Sequence, residues 1–547
     1  MNTQAHGKSF LDIPVFHFPT PEGQSAFTIR HAVEGIQIVG GIGSGKTSGS
    51  GRFLALNYLK LGFGGLVMTA KPDEKDLWID YCTKAGRLDD LIIIEPGGKY
   101  WFDFLAYESS QNGTGNAFTE NVAEVLKVVI ESSKIKDRGV SKDDPFWQQA
   151  LDMLIFNVID LCLMAYDKVT VQLLHDIVQS LPNAKKPAMA SQKEWDAFYL
   201  EDRKKWMEQE EKRRAQTPHT QEFKERKYTP SKQPTPFEKA MVEAHRRFKE
   251  KVDAYMEGNR DNLDTLRGNQ DLSDFLKSEF PHIRTFHHLW QFFMESFRTL
   301  NEKTRSIIEF SFTGFLFRLL REPIFSLFCK GNYNVTPEDS LKGKIILLNL
   351  PVKSLHKVGR DCQILFKYIW QRAMEKRNIK ENPRPVFLWA DEAQNFIHEH
   401  DPVYQATARS SCISTVYITQ NLPNYYAMME SDNGSARVKS FLGTMGTKIF
   451  HANADIETNQ YASNLVGEAY IEKFTETTGL SKESPNFSQN KSIELEKVFR
   501  PEDFIPLKTG SPNNAYMVEG IIHRQGDPLF DGNNYMKLTF DQKFTPS

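Results

Sequence analysis

The sequence predicts an α/β fold with a mainly parallel sheet, interrupted by an inserted all-α domain, and three observations carry that prediction. Short apolar runs suited to strands buried on both faces recur along the chain, separated mostly by helix-length segments. A glycine-rich turn lies between the first run and a helix with one apolar face. A long polar stretch of mixed charge then divides the first three runs from the last four.

Taken in order, residues 1–35 read as an N-terminal segment and Gly35–Val39 as the first strand. The turn 40–47 follows, opening a helix that carries Leu54, Tyr58 and Leu61 on one side. Leu66–Met68 and Leu91–Ile94 supply two more strands, so a first part of the α/β domain is expected over 36–180. Met153–Leu181 reads as apolar helix, Gln192–Arg267 as polar, with a proline-rich break at Thr229–Pro236, and Phe286–Phe328 as aromatic and apolar. The all-α insertion is therefore expected over 181–335. Its mixed charges suit solvated helix faces with i,i+4 pairs better than a stripe of nucleic-acid contacts. Ile345–Leu350, Val386–Ala390, Thr415–Thr419 and Lys448–Phe450 return to the sheet, giving a second part over 336–470 and a closing segment over 471–547.

Bulk properties narrow the class. A chain of 547 residues exceeds what one core usually supports. With 40% hydrophobic and 25% charged residues it has the composition of a globular protein. A net charge of −2 provides no global field for nucleic acid or anionic lipid, so any such contact must come from local loops. The five cysteines form no CxxC pair, which fits reduced thiols better than a disulfide framework or zinc site. The N-terminus lacks the apolar core of a signal peptide. Met153–Tyr166, the most membrane-like stretch, is short and contains Asn157 and Asp160, so it reads as buried helix. A cytoplasmic chain without a transmembrane segment is expected.

The chemistry lies in three motifs. Gly40, Gly41, Ile42, Gly43, Ser44, Gly45, Lys46 and Thr47 satisfy G-x-x-x-x-G-K-[ST], a match that chance supplies in roughly 2% of chains this long. Glycines let successive N–H groups face phosphate oxygens at the positive end of the following helix, and the nucleotide contacts are expected to run from Gly40 to Ser48. Lys46 can bridge the β- and γ-phosphates of ATP, and Thr47 can offer its hydroxyl to Mg²⁺. The second motif, Val386–Glu392, delivers Asp391 to a strand end as a metal-shell ligand and Glu392 as a base for the attacking water. The third strand signal ends at Gln420, which could orient water or sense a γ-phosphate, or simply cap a loop. Arg409, just upstream, is either an arginine finger for a neighbouring subunit or a surface arginine. His398-Glu399-His400 and His287-His288 lack the i,i+4 spacing of helical zinc pairs and are read as non-ligands.

Taken together, these segments resemble the coupling-protein ATPases of type IV secretion and conjugation, the TraG/TraD-like family. That family falls within the hexameric RecA-like DNA pumps that include FtsK and HerA. GGIGSGKTSG looks like the family's P-loop, LVMTAKPDEKDLW its "DPKGE" segment, and LIIIEPGGKYWFDFL the following strand and "NP" turn. DPFWQQALDMLI resembles the helix ahead of the all-α domain. FLWADEAQNF and TARSSCISTVYITQN resemble the Walker B and glutamine motifs, and KIFHANADIETNQYASNLVGE and FRPEDFIPLKTGSPNNAYMVEGIIHRQGDP the closing segments. The likeness implies a RecA-like motor with nucleotide contacts at Gly45, Lys46 and Thr47. It also implies magnesium and hydrolysis roles for Asp391 and Glu392, a sensor role for Gln420 and a finger role for Arg409.

Two departures stand out. The DPKGE segment reads Thr69-Ala70-Lys71-Pro72-Asp73-Glu74, losing its leading aspartate, so no catalytic role is assigned there. Many family members begin with transmembrane helices, none of which is evident here, so the chain is expected to meet a membrane partner or to serve a soluble function. The expected activity is an ATP-driven homohexamer moving DNA or a DNA–protein conjugate, with a relaxase or other cargo, toward type IV channel proteins at the inner membrane. The rival expectations are a soluble HerA-like DNA pump in repair or defence, and an ATP-gated receptor for protein cargo.

Overall fold

The computed structural model describes residues 9–112, 116–134, 145–216, 224, 226–258, 274–276, 278, 281–398, 400–429, 434–480, 485–526 and 528–546. Glu399, the Asp144 that opens the DPFWQQ motif, and most of 259–280 lie outside them.

The chain divides into two compact units. The first comprises Met1–Trp101, Glu131–Arg138 and Asn334–Ser547, and the second Phe102–Ile130 and Gly139–Tyr333. The helical unit thus begins at Phe102, whereas the sequence placed its start at 181. Helices Pro145–Tyr166 and Val171–Gln179 explain the difference, because they pack on Pro236–Gly258 and Glu302–Leu319, so their apolar faces are spent within the helical unit. Gln148–Tyr166 is long and apolar enough to cross a membrane, and half of it is buried. Of the polar stretch, helix Gln192–Gln216 buries Trp195 and is lined by pairs such as Lys205 with Glu201 at i,i+4. That is the solvated face its composition suggested.

The first unit is built on a nine-stranded sheet. Its strands are β3 (Ile36–Val39), β4 (Gly64–Met68), β5 (Leu91–Ile94), β6 (Ile345–Leu348), β7 (Val386–Ala390), β8 (Ile413–Thr419), β9 (Thr447–Phe450), β12 (Met517–Arg524) and β13 (Tyr535–Asp541). Their spatial order is β13-β12-β9-β3-β8-β7-β4-β6-β5. The seven strands from β9 to β5 are parallel neighbours, while β12 runs antiparallel to both β9 and β13. This is an α/β fold, and every one of the seven apolar runs lies in this sheet. The two outer antiparallel strands and two hairpins were not foreseen. β1 (Pro14–Thr20) pairs with β2 (Gly23–Thr28), packing Phe16 on Phe53 of the helix that follows the glycine-rich turn, ring centres 4.8 Å apart. β10 (Glu468–Leu480) pairs with β11 (Pro485–Lys497) as a separate two-stranded ribbon.

Parallel strands place all their C-terminal ends on one edge. β3, β8, β7 and β4 are consecutive in the sheet, so the segments after Val39, Thr419, Ala390 and Met68 emerge side by side. Adjacent strands are about 4.8 Å apart, which sets the ends of β3 and β7 roughly 10 Å apart with the end of β8, and so Gln420, between them.

Two buried imidazoles and one half-buried imidazole in this unit make a pH prediction. Burial is the main cause holding His398 down to about 3, and His451 and His523 to about 4. An unfolded histidine titrates near 6.5. Between those values the unfolded chain therefore binds protons that the folded chain refuses, and stability falls as pH falls. Glu74, pushed well up by burial and by Asp391, acts in the opposite sense, as do Asp103, Asp160 and Glu309, which burial raises. Asp90, Glu95, Glu392, Asp401 and Glu519, held low by their partners, add to the loss at the acid end. Melting temperature should decline steadily from pH 6.5 to pH 4.5, and His451→Asn should flatten the decline. A constant melting temperature over that window would refute the account.

Candidate active site

The glycine-rich turn leaves β3 and runs into a π-helical turn, Thr47–Gly51, continued by helix Arg52–Lys60. Gly43 and Gly45 have φ of +73° and +80°, a region costly to other residues. The turn is held from behind, where Gly40 N–H donates to Thr419 O and Gly41 N–H to Ala452 O. Ser50, in the π turn, bonds His451 Nε2 at 2.7 Å, and His451 Nδ1–H donates to Glu519 O on β12. Ser48 accepts from Gln542 Nε2 at 2.7 Å, so its side chain is engaged by the C-terminal segment.

Asp391 and Glu392 follow β7. Asp391 Oδ2 accepts from Thr47 Oγ1 at 2.7 Å, joining the two motifs across 344 positions of sequence. Its other oxygen accepts the Glu392 N–H at 2.8 Å, bracing Glu392 in a left-handed conformation with φ of +52°. Such strain in a non-glycine residue, held in place by its surroundings, is typical of functional sites. Glu392 is thereby aimed into a cavity of about 470 Å³, lined also by Ile42, Gly43, Lys46, Lys71, Gln394 and Gln420.

The carboxylate of Glu392 is surrounded by donors. Gln420 Nε2 lies 3.1 and 3.2 Å from its two oxygens, Gln394 Nε2 is 2.8 Å from Oε2, and Lys71 Nζ is 3.1 Å from Oε1. Burial pushes its pKa up, but the two glutamines and the Lys71 and Lys46 charges outweigh it and hold the group below the usual range. Glu392 is therefore held in its ionised form. Burial pulls Lys71 down, yet Asp391 and Glu392 more than compensate and raise it.

The residues present fit a nucleotide phosphate and its metal. The Lys46 side chain is buried, and its ammonium has no hydrogen bond or ion pair among the described residues. Ser44 Oγ is likewise buried without a hydrogen-bond partner. A cation sequestered without an anion is costly, and a phosphate in the turn would satisfy both groups. Thr47 and Asp391 form the hydroxyl–carboxylate pair that a hard divalent cation takes.

Sequence-predicted residues thus converge, with one exception. Arg409 caps helix Asp401–Ala408 at the opposite end of β8 from Gln420, about 20 Å away along seven residues. It is 58% exposed and 3.7 Å from Glu34, remote from this cavity. Sequence reasoning missed Lys71 and Gln394. Gln394 links the strand ends, since Thr419 Oγ1 donates to its carbonyl while its amide donates to Glu392. Lys71 had a signal in the DPKGE-like segment, which was set aside because its acids are displaced. Downstream of Glu392 the loop is anchored by Lys367, whose fully buried ammonium donates to Phe396 O and to both Asp401 oxygens at 2.8 Å.

Comparison with known proteins agrees with this architecture. Residues 385–508 match the family model described as the TraM recognition site of TraD and TraG. No curated protein sequence matches the chain. Among solved structures, the chain is similar to the bacterial conjugative coupling protein TrwBdeltaN70 in its unbound form, with TM-score 0.54, 12% identity, and coverage of 95% of this chain and 87% of that one. The plasmid coupling protein TrwB in complex with ADP and Mg²⁺ gives 0.53, 12%, 95% and 88%. The same protein with the non-hydrolysable GTP analogue GDPNP gives 0.51, 11%, 99% and 91%. The RecA-like fold and the family resemblance read from the motifs are both borne out, the latter by sequence over 385–508.

Proposed function

We propose that this chain is a nucleoside triphosphatase of the conjugative coupling type, which uses ATP and Mg²⁺ to move DNA, or a DNA–protein conjugate, toward a type IV secretion channel. The observation that carries the reading is the Thr47–Asp391 contact, which joins a phosphate-binding turn to a metal-binding carboxylate beside an ionised Glu392. The fold shared with TrwB, which binds ADP with Mg²⁺, and the match to a TraM recognition segment support the coupling role.

In this reading the turn from Gly40 to Ser48 holds the triphosphate, and Lys46 neutralises its β- and γ-phosphates. A magnesium ion held by Thr47 and Asp391 would withdraw charge from the same oxygens. Glu392 accepts a proton from the attacking water, and Gln420, bonded to it, orients that water. The new P–O bond forms at the γ-phosphorus as the bond to the β-phosphate breaks, and ADP leaves with the electron pair. The partners are DNA, a relaxase or other cargo, and channel proteins at the inner membrane. The assembly is a homohexamer, in which Arg409, remote from its own cavity, would act across a subunit boundary. The DNA sites are local basic loops gathered by the ring, since the chain's net charge is −2.

The test is steady-state phosphate release with and without DNA across a salt series. Turnover should rise with DNA, and the stimulation should fade as salt competes for phosphate contacts. Lys46→Ala should lose both binding and turnover. Intact ATP binding with no response to single- or double-stranded DNA at low salt would replace this reading with a cargo receptor that does not track DNA. DNA-stimulated turnover without association with an inner-membrane channel protein would favour the soluble pump.

A further inference from the structure

Lys71 occupies a position that the hydrolytic scheme above leaves unused. It follows β4, the strand beside β7, where Met68 is level with Ala390. Its backbone is fixed rather than free. Thr69 N–H donates to Gln363 Oε1 at 2.8 Å, and the buried Glu74 accepts the N–H groups of Ala70 and Lys71 at 3.1 and 3.2 Å. From that clamp the side chain reaches the cavity that Lys46 lines, ending 3.1 Å from Glu392 Oε1.

The carboxylate it meets is crowded with donors. A carboxylate offers about four acceptor positions, and three donor groups lie on Glu392: Gln420, whose Nε2 is shared between both oxygens, Gln394 and Lys71. With these donors in place and its charge balanced by Lys71, the group is a poorer acceptor for a water's proton until a partner leaves. Charge decides which partner leaves. A terminal phosphate carrying about two negative charges attracts an ammonium more strongly than a single carboxylate does, whereas a neutral amide gains far less.

We propose that Lys71 reads the γ-phosphate: paired with Glu392 in the structure, it transfers to the terminal phosphate of a bound nucleoside triphosphate and frees Glu392 for the attacking water. The inference rests on the nucleotide reading of this cavity. It supplies a cationic γ-phosphate ligand from within the subunit, alongside Lys46, and ties release of the base to the presence of a third phosphate. ADP, which lacks that phosphate, leaves the ion pair closed.

The experiment compares binding of ADP and of a non-hydrolysable ATP analogue to the full-length wild type, Lys71→Met and Lys71→Arg. Losing one charge-assisted contact should weaken analogue binding about 10–100-fold, while ADP binding stays within about threefold of wild type and confirms the fold. Turnover in Lys71→Met should fall at least about 100-fold, and Lys71→Arg should restore most of the analogue preference. Equal loss of both ligands, or an unchanged analogue-to-ADP ratio with depressed turnover, would overturn the proposal and make Lys71 a structural tether of Glu392. A wild type that binds neither nucleotide would instead overturn the reading of the site as a nucleotide pocket, and this inference with it.

Discussion

Glu392→Gln should bind ATP within about threefold of wild type while losing about 10²–10⁴ in kcat, the range that general-base catalysis contributes. The substitution preserves shape and leaves the Thr47–Asp391 pair untouched, so the groups that would hold the metal keep their geometry. It also keeps an acceptor toward Gln394 and Gln420 on one side of the amide. What it removes is the proton acceptor, and with it the anion that pairs with Lys71. Lys46→Ala acts on the other half of the site. It withdraws a buried cation that has no hydrogen bond or ion pair among the described residues, so binding should go first and turnover with it. Equilibrium binding and phosphate release, measured on both variants, separate the two losses. Near-normal turnover in Glu392→Gln would remove its assignment as the base.

How much of this was legible in the sequence depends on what each element buries. β3, β4, β6, β7, β8 and β9 are buried along their whole length, so each shows as a short, largely apolar run, broken in β3 by Gln37, in β8 by Ser414 and Thr415, and in β9 by Lys448. β12 and β13 sit at a sheet edge with half-exposed faces and carry Glu519 and Lys537, which form an ion pair at 3.1 Å. Charges in alternate positions hide a strand from a search for apolar runs. Met517–Arg524 nevertheless matters to the site, because Val518 packs on the glycine-rich turn at Gly45 and Gly49.

The site divides in the same way. Gly40–Thr47 and Asp391–Glu392 are local motifs whose chemistry follows from spacing. Lys71 acts only because β4 lies beside β7, a pairing that joins positions more than 300 residues apart, and Gln394 acts only because β8 lies beside β7, which brings Thr419 to it. The boundary of the helical unit was hidden for a related reason. Composition changes only near Gln192, but the apolar helices Asn116–Lys134 and Pro145–Tyr166 already serve the helical core, and an apolar face does not reveal which core it fills.

Gly45→Ala should abolish nucleotide binding, whereas Gly43→Ala, two residues earlier in the same turn, should only weaken it. Both positions have left-handed backbone, which costs a non-glycine residue about 1–2 kcal/mol. They differ in what a methyl group meets. At Gly43 nothing lies within 4 Å. At Gly45 an added Cβ would fall 2.5 and 2.9 Å from the two methyls of Val518 and 3.0 Å from Thr509 O. The turn and β12 must then separate, at an overpacking cost of about 1–3 kcal/mol beyond the backbone term. That separation would also strain the neighbouring contact between Ser48 and Gln542, shifting the N–H groups that face the phosphates. Val518→Ala supplies the internal check, since it removes both methyls without changing the backbone demand. Combined with Gly45→Ala it should recover part of the lost ADP affinity and melting temperature, up to the level of Gly43→Ala and no further, because the φ of +80° still penalises alanine. The measurement is a double-mutant cycle on ADP affinity and thermal stability. Strict additivity of the two substitutions would show that β12 does not brace the turn, and equal losses at Gly43 and Gly45 would show that backbone conformation alone limits it.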